Sequence, residues 1–272
     1  MPYCPLEKAA YPVMSDSPDN FKIETRYNSI RAEYRNGSLA LRSHDNALQS
    51  VIDQNQPARL ALKNLEFLVA ITLFLPRPQN ILLLGTAAGS LLHFLRKSQP
   101  DANITAIDID LEMVELLLAK EILPTADQRL NYVFDDASHY IEHCQQSFDL
   151  ILVDIFNGCQ SPQWLLQKAT SDRLYSLLSN QGAVAFNLLI DSDHGFNQFY
   201  RDLRLSFKQQ TLCLPVEGFE NTIVYAFRYA VPECEMSIYM QSALELSEGD
   251  QVDYLAALAA IYTTNPAGSG VI

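Results

Sequence analysis

Apolar residues recur along this chain in two rhythms. Short unbroken runs such as Ile81-Leu82-Leu83-Leu84 and Leu150-Ile151-Leu152-Val153 are too brief for helices, and they predict strands buried on both faces. Strands are expected at about 81–84, 103–108, 130–134, 149–154, 183–188, 211–216 and 221–228. Between them, helical spacing predicts helices at 91–97 and near 111–120, 137–145, 163–168, 171–179 and 195–206. A further helix is expected to start at Pro57 and run to Phe74. Such alternation predicts an α/β fold with a mainly parallel sheet covered by helices on both faces. Upstream, the segments 30–34 and 39–41 flank Asn36-Gly37, a strong hairpin turn signal. Residues 1–56 therefore read as a β-hairpin region, 57–230 as the α/β unit and 231–272 as an extension. The extension is expected to hold one helix over 250–262 and to fray over 265–270.

Composition narrows the class. The 272 residues are 48% apolar, enough for a sizeable core, yet no apolar run approaches the length of a membrane span. Glu7 and Asp16 sit where a secretory leader would be basic, then apolar, so a cytoplasmic location is expected. Acids outnumber bases by 32 to 19, for a net charge of −13. That sign disfavours nucleic acid and anionic membrane as partners. The five cysteines are scattered without a C-x-x-C pair, so neither a disulfide framework nor a zinc site is expected.

Candidate chemistry concentrates at the ends of the expected strands. After 81–84 comes a loop of small residues, Gly85-Thr86-Ala87-Ala88-Gly89-Ser90, leading into a helix. Small residues let a ligand approach the backbone, and a helix N-terminus offers free N–H groups. Asp108 closes the next strand, where ribose hydroxyls bind in such sheets, whereas Asp110 reads as a helix N-cap before Leu111-Glu112-Met113. Asp135-Asp136-Ala137 follows the third strand. One acid can accept from an exocyclic amine such as that of adenine while the other caps the helix; Asp136 is placed on the ligand and Asp135 nearer solvent. Asp154 ends the fourth strand, where a carboxylate can orient a nucleophile, take its proton or stabilise a cationic centre. His139 and His143 have metal-ligand spacing without a third ligand nearby, and a surface pair with no metal is expected. Phe156, Trp164 and Tyr175 are expected to pack in the core.

Together these residues resemble the spermidine synthase family over about residues 30–228. The resemblance implies a Rossmann-like, seven-stranded, mainly parallel sheet of methyltransferase type, in strand order 3-2-1-4-5-7-6, with a small N-terminal β-hairpin domain. The family's strand-loop motif falls on Leu83 to Ser90, so Gly85, Thr86, Ala87 and Gly89 become cofactor-binding candidates. Its ribose acid falls on Asp108, its adenine motif on Asp136 and Ala137, and its catalytic acid on Asp154. A cofactor-contacting glutamine falls on Gln49. The implied cofactor is decarboxylated S-adenosylmethionine, the implied acceptor is a small diamine, and the implied assembly is a homodimer.

Three departures bear on substrate choice. Ala88 stands where the family has an acid facing the cofactor's free amine, and Asn157 stands at a diamine-binding acid. The family's Tyr-Gln-Glu and His group has no counterpart in 53–59. Losing two acids that face ammonium groups weakens recognition by roughly a hundredfold or more. An acid at position 88 would repel a carboxylate-bearing cofactor, whereas Ala88 would not. The expected activity is therefore alkyl (methyl) transfer from S-adenosylmethionine to an unidentified small-molecule acceptor, with Asn157 on the acceptor. Aminopropyl transfer from decarboxylated S-adenosylmethionine and non-catalytic nucleoside binding are the alternatives.

Overall fold

The computed structural model describes residues 20–44, 46–230 and 236–265. The chain opens with an antiparallel meander of β1 (Phe21–Glu24), β2 (Ser29–Arg35), β3 (Ser38–Ser43) and β4 (Leu48–Asp53). Asn36 and Gly37 have φ of 49° and 80°, the left-handed pair that a two-residue hairpin needs. Next come α1 (Lys63–Val69) and a short 3-10 turn, Ala70–Leu73. The helix expected from Pro57 starts six residues late because Leu60 is drawn into a bridge with Ile52 of β4.

The main unit runs β5 (Asn80–Leu84), α2 (Ser90–Ser98), β6 (Asn103–Asp108), α3 (Leu111–Ala119), β7 (Leu130–Phe134), α4 (Ala137–His143) and β8 (Phe148–Val153). It continues through α5 (Lys168–Leu177), β9 (Leu178–Leu188), α6 (Asp193–Ser206), β10 (Thr211–Pro215) and β11 (Thr222–Phe227). Spatial order is β10-β11-β9-β8-β5-β6-β7, the order the family resemblance implied. Only the pairings of β11 are antiparallel within this sheet. Successive residues of each strand enter opposite layers. Leu83 and Leu152 belong to one apolar core, and Leu84 and Val153 to the other. Two buried faces explain why these strands read as continuous apolar runs.

Several boundaries differ from the sequence expectation. Residues 163–166 form turns rather than a helix, and α5 ends at Leu177 because Leu178 already pairs with Phe148. The C-terminal part contains two helices, α7 (Met236–Asp250) and α8 (Tyr254–Thr264). Asn265 is not frayed: it is buried, and its amide exchanges two 2.9 Å bonds with the backbone of Cys213 in β10. The rest of the expected frayed end, 266–270, lies outside the described residues, as do Glu7 and Asp16. Cys159 is disulfide-bonded, whereas Cys144 and Cys213 are free. Scattered spacing along a chain does not report which sulfurs the fold brings together. Among the described residues, no helix is long and apolar enough to cross a membrane.

Asp110 fastens the hairpin sheet over the main unit. It caps α3 through Met113 N at 3.1 Å, as its position in the sequence implied. Its other oxygen accepts from Thr25 Oγ1 at 2.5 Å and from Asn28 Nδ2 at 2.6 Å. A cap and two bonds to a buried carboxylate are lost together in Asp110→Ala, which is expected to lower unfolding stability by about 2–3 kcal/mol. The urea midpoint checks this, and a midpoint like that of the wild type contradicts it.

Candidate active site

Strand order changes direction between β5 and β8, and a cleft of about 600 Å³ opens at their C-terminal ends. Open parallel sheets place ligands at such switch points. Gly85, Ala87, Asp108, Asp136, Ala137, Asp154 and Asn157 all line this cleft, and Gln49 reaches it from β4. The hairpin sheet also contributes Tyr27, Asn28 and Leu48.

The glycine loop is tight for a specific reason. Gly85 has φ of +90°, and a Cβ there would lie 2.3 Å from the backbone oxygen of Asp154. The loop and the acid-bearing segment therefore touch through bare backbone. Ala87 also holds a positive φ, 43°. Thr86 and Gly89 do not line the cleft. Thr86 is buried and donates to Asp108 Oδ2 from both its N (3.0 Å) and its Oγ1 (2.6 Å). Gly89 caps α2 in a left-handed conformation, and a Cβ there would strike Leu123 at 2.4 Å. Ala88 is fully enclosed in the apolar core, so its side chain presents nothing to the cleft.

Asp108 is oriented before any ligand arrives, because Asp110 N also donates to its Oδ1 at 3.0 Å. Three protein donors leave room for a further hydroxyl on about four acceptor positions. Asp136 is the N-cap of α4, with Oδ1 accepting from Ser138 N at 2.8 Å and Ser138 Oγ at 2.5 Å. The relative exposure of the two acids reverses the expectation: Asp136 is exposed and Asp135 is half-buried. The cause is His139, whose Nδ1 lies 2.7 Å from Asp135 Oδ2 and holds that side chain down. That contact lowers the Asp135 carboxyl below the usual range and raises the His139 imidazole. The His143 ring lies tilted beside that of His139, 4.4 Å between ring centroids. Among the described residues, no group of three or more His, Cys, Asp or Glu is placed to hold a metal ion.

Asp154 is half-buried in the cleft wall. Its carboxyl is raised to about 6, because burial outweighs the hydrogen bond from Asn187. Three buried amides, Asn64, Asn187 and Asn221, share the cleft wall with it and were not singled out in the sequence. One signal was available: Asn187 interrupts the apolar run 183–189 in an expected core strand. Phe156 and Trp164 line the cleft; this corrects the assignment of Phe156 to the core, while Trp164 also packs against the apolar core as expected. Tyr175 does pack internally, edge-on to Phe207 at 5.3 Å.

Comparison with known proteins agrees with this architecture. Residues 65–187 match the family model described as spermine/spermidine synthase domain. A polyamine aminopropyltransferase of Neisseria meningitidis is 26% identical over 220 residues, covering 80% of this chain and 83% of the relative. The fold is shared with a probable spermidine synthase from Corynebacterium glutamicum, at TM-score 0.73, 19% identity and coverage of 84% and 88% of the two chains. It is also shared with spermidine synthase from Thermotoga maritima, at TM-score 0.62, 14% identity and coverage of 92% and 86%. With the domain match over the sheet that carries Gly85, Asp108, Asp136 and Asp154, the chain is similar to the spermidine synthase family.

Proposed function

We propose that this protein transfers an aminopropyl group from decarboxylated S-adenosylmethionine to a small amine. The observation that carries the reading is the meeting of Asp154 with Gly85, Asp108 and Asp136 on one cleft. The expectation of methyl transfer gives way to the aminopropyl alternative, because the curated relative over most of the chain is an aminopropyltransferase. It also rested on Ala88 opening space for a carboxylate, and Ala88 does not reach the cleft. The residues present fit an S-adenosyl group. Gly85 and Ala87 give close backbone approach, Asp108 has capacity for a ribose hydroxyl, and Asp136 and Gln49 stand on the cleft for the base and its surroundings. Bound there, the cofactor would supply an electrophilic carbon beside a sulfonium.

The chain's own task is placement and proton handling. An acceptor amine is protonated at neutral pH and must lose a proton to attack. Asp154 can take that proton only while ionised, and burial raises its affinity for it, which improves a carboxylate as a base. Below about pH 6 Asp154 fills with protons. The acid limb of kcat/KM is therefore expected to fall tenfold per pH unit below about 6; a flat profile down to pH 5 contradicts the role. The direct test supplies decarboxylated S-adenosylmethionine with 1,4-diaminobutane and a panel of related amines. Mass spectrometry should find the acceptor heavier by one aminopropyl unit, and no adduct with any amine overturns the reading.

A further inference from the structure

Asp154 is the end of a row. Asn187 Nδ2 donates to Asp154 Oδ1 at 2.8 Å, and Asn221 Nδ2 donates to Asn187 Oδ1 at 2.8 Å. Asp154 follows β8, Asn187 lies in β9 and Asn221 directly precedes β11, three neighbouring strands. Both amides are 1% exposed and both line the cleft.

The direction of this row is set at one end. An ionised carboxylate only accepts, so Asn187 must turn its amino group to Asp154 and its carbonyl away. That carbonyl needs a donor, and Asn221 supplies it. Asn221 Oδ1 is then left buried without a hydrogen-bond partner. An orphaned buried carbonyl is destabilising, and it is the expected residue of a row whose polarity is dictated elsewhere.

Resting on Asp154 as the proton acceptor, we propose that Asn187 and Asn221 are positioning residues: a polarised amide row that keeps Asp154 ionised and fixed in orientation. Asn221 acts without touching Asp154. Once its amide is gone, the Asn187 carbonyl loses its donor, and only the ionised form of Asp154 still favours this orientation of Asn187. A reversed Asn187 would offer Asp154 a carbonyl, which only a protonated carboxyl can bond. The remaining ionisable groups on the cleft are Tyr27, Asp108, Asp135 and Asp136. Burial and the Asn187 bond are what bear on Asp154 itself.

The test is a carbon-13 carboxyl titration of the resting protein, with the Asp154 signal assigned by its loss in Asp154→Asn. Asn187→Leu should move the Asp154 midpoint up by about one pH unit, a tenfold gain in proton affinity. Asn221→Leu should move it in the same direction by roughly half as much or more. The acid limb of kcat/KM should move with it, while calorimetric affinity for 5′-methylthioadenosine, the thioether left after transfer, stays within about twofold. An unmoved midpoint in Asn221→Leu overturns the proposal. Asn221→Ser, a smaller change that also withdraws the amide, is read the same way should the leucine variant not fold. Because the titration needs no turnover, failure of the row and failure of the aminopropyl reading are told apart.

Discussion

Asp154→Asn is expected to lower turnover by orders of magnitude and, at neutral pH, to make the protein more stable. The first effect follows from removing the group proposed to take the acceptor's proton. General bases contribute about 10²–10⁴-fold, so the loss should fall in that range, while cofactor affinity stays nearly intact. The second effect follows from burial. Asp154 titrates at about 6 in the fold, against 3.8 for an ordinary aspartate. Its folded form is therefore harder to ionise than its unfolded form. Above pH 6 the native state carries the full penalty, about 3 kcal/mol at 1.36 kcal/mol per unit. As pH falls from 6 to 4 the penalty fades, and below 4 both states are protonated. Asparagine carries no such penalty, and its carbonyl can still accept from Asn187. The variant should thus gain on the order of 2–3 kcal/mol at pH 7 and little at pH 4. Denaturant melts at both pH values check the pattern. A variant that is less stable at pH 7, or that turns over normally, contradicts it.

Gly85→Ala is expected to do the opposite, removing both stability and ligand binding. Left-handed φ costs an L-residue about 1–2 kcal/mol. The added carbon must also push aside the Asp154 backbone oxygen 2.3 Å away, and backbone does not yield as a flexible side chain would. A total loss on the order of 3–4 kcal/mol is expected, with displacement of the segment that carries Asp154. Thermal melting and calorimetric titration of 5′-methylthioadenosine measure the two parts. Wild-type values in both would show that the loop and the acid-bearing segment do not press on each other.

The two substitutions act on one contact from opposite sides. The glycine loop and the Asp154 segment meet through backbone, so the proposed cofactor placement and proton acceptance would share a support. Of the departures at Ala88 and Asn157, only the second lies on the cleft. Ala88 is sealed in the core, while Asn157 is exposed on the cleft. Position 157 is accordingly the accessible place for a change of acceptor preference, and Asn157→Asp is expected to lower KM for 1,4-diaminobutane by about tenfold, the size of one charge-assisted bond.

Much of this molecule is local in origin and was legible in the chain. Strands buried on two faces must be continuously apolar, so 81–84 and 149–154 announced themselves, and Asn36-Gly37 fixed its turn through left-handed φ. Residues at strand ends fall on one rim of a parallel sheet, so Gly85, Asp108, Asp136 and Asp154 could be grouped before any coordinates. What tertiary structure decided is everything that depends on a partner distant in sequence. His139 reverses the exposure of Asp135 and Asp136. Thr86 and Gly89 serve Asp108 and Leu123 rather than the cleft surface, and Phe156 faces the cleft instead of the core. The amide row from Asn221 through Asn187 to Asp154 joins three strands whose adjacency no local pattern encodes. Periodicity reports which face a residue occupies. A hydrogen bond or a desolvated carboxylate depends on what stands opposite, and that is set only when the sheet assembles.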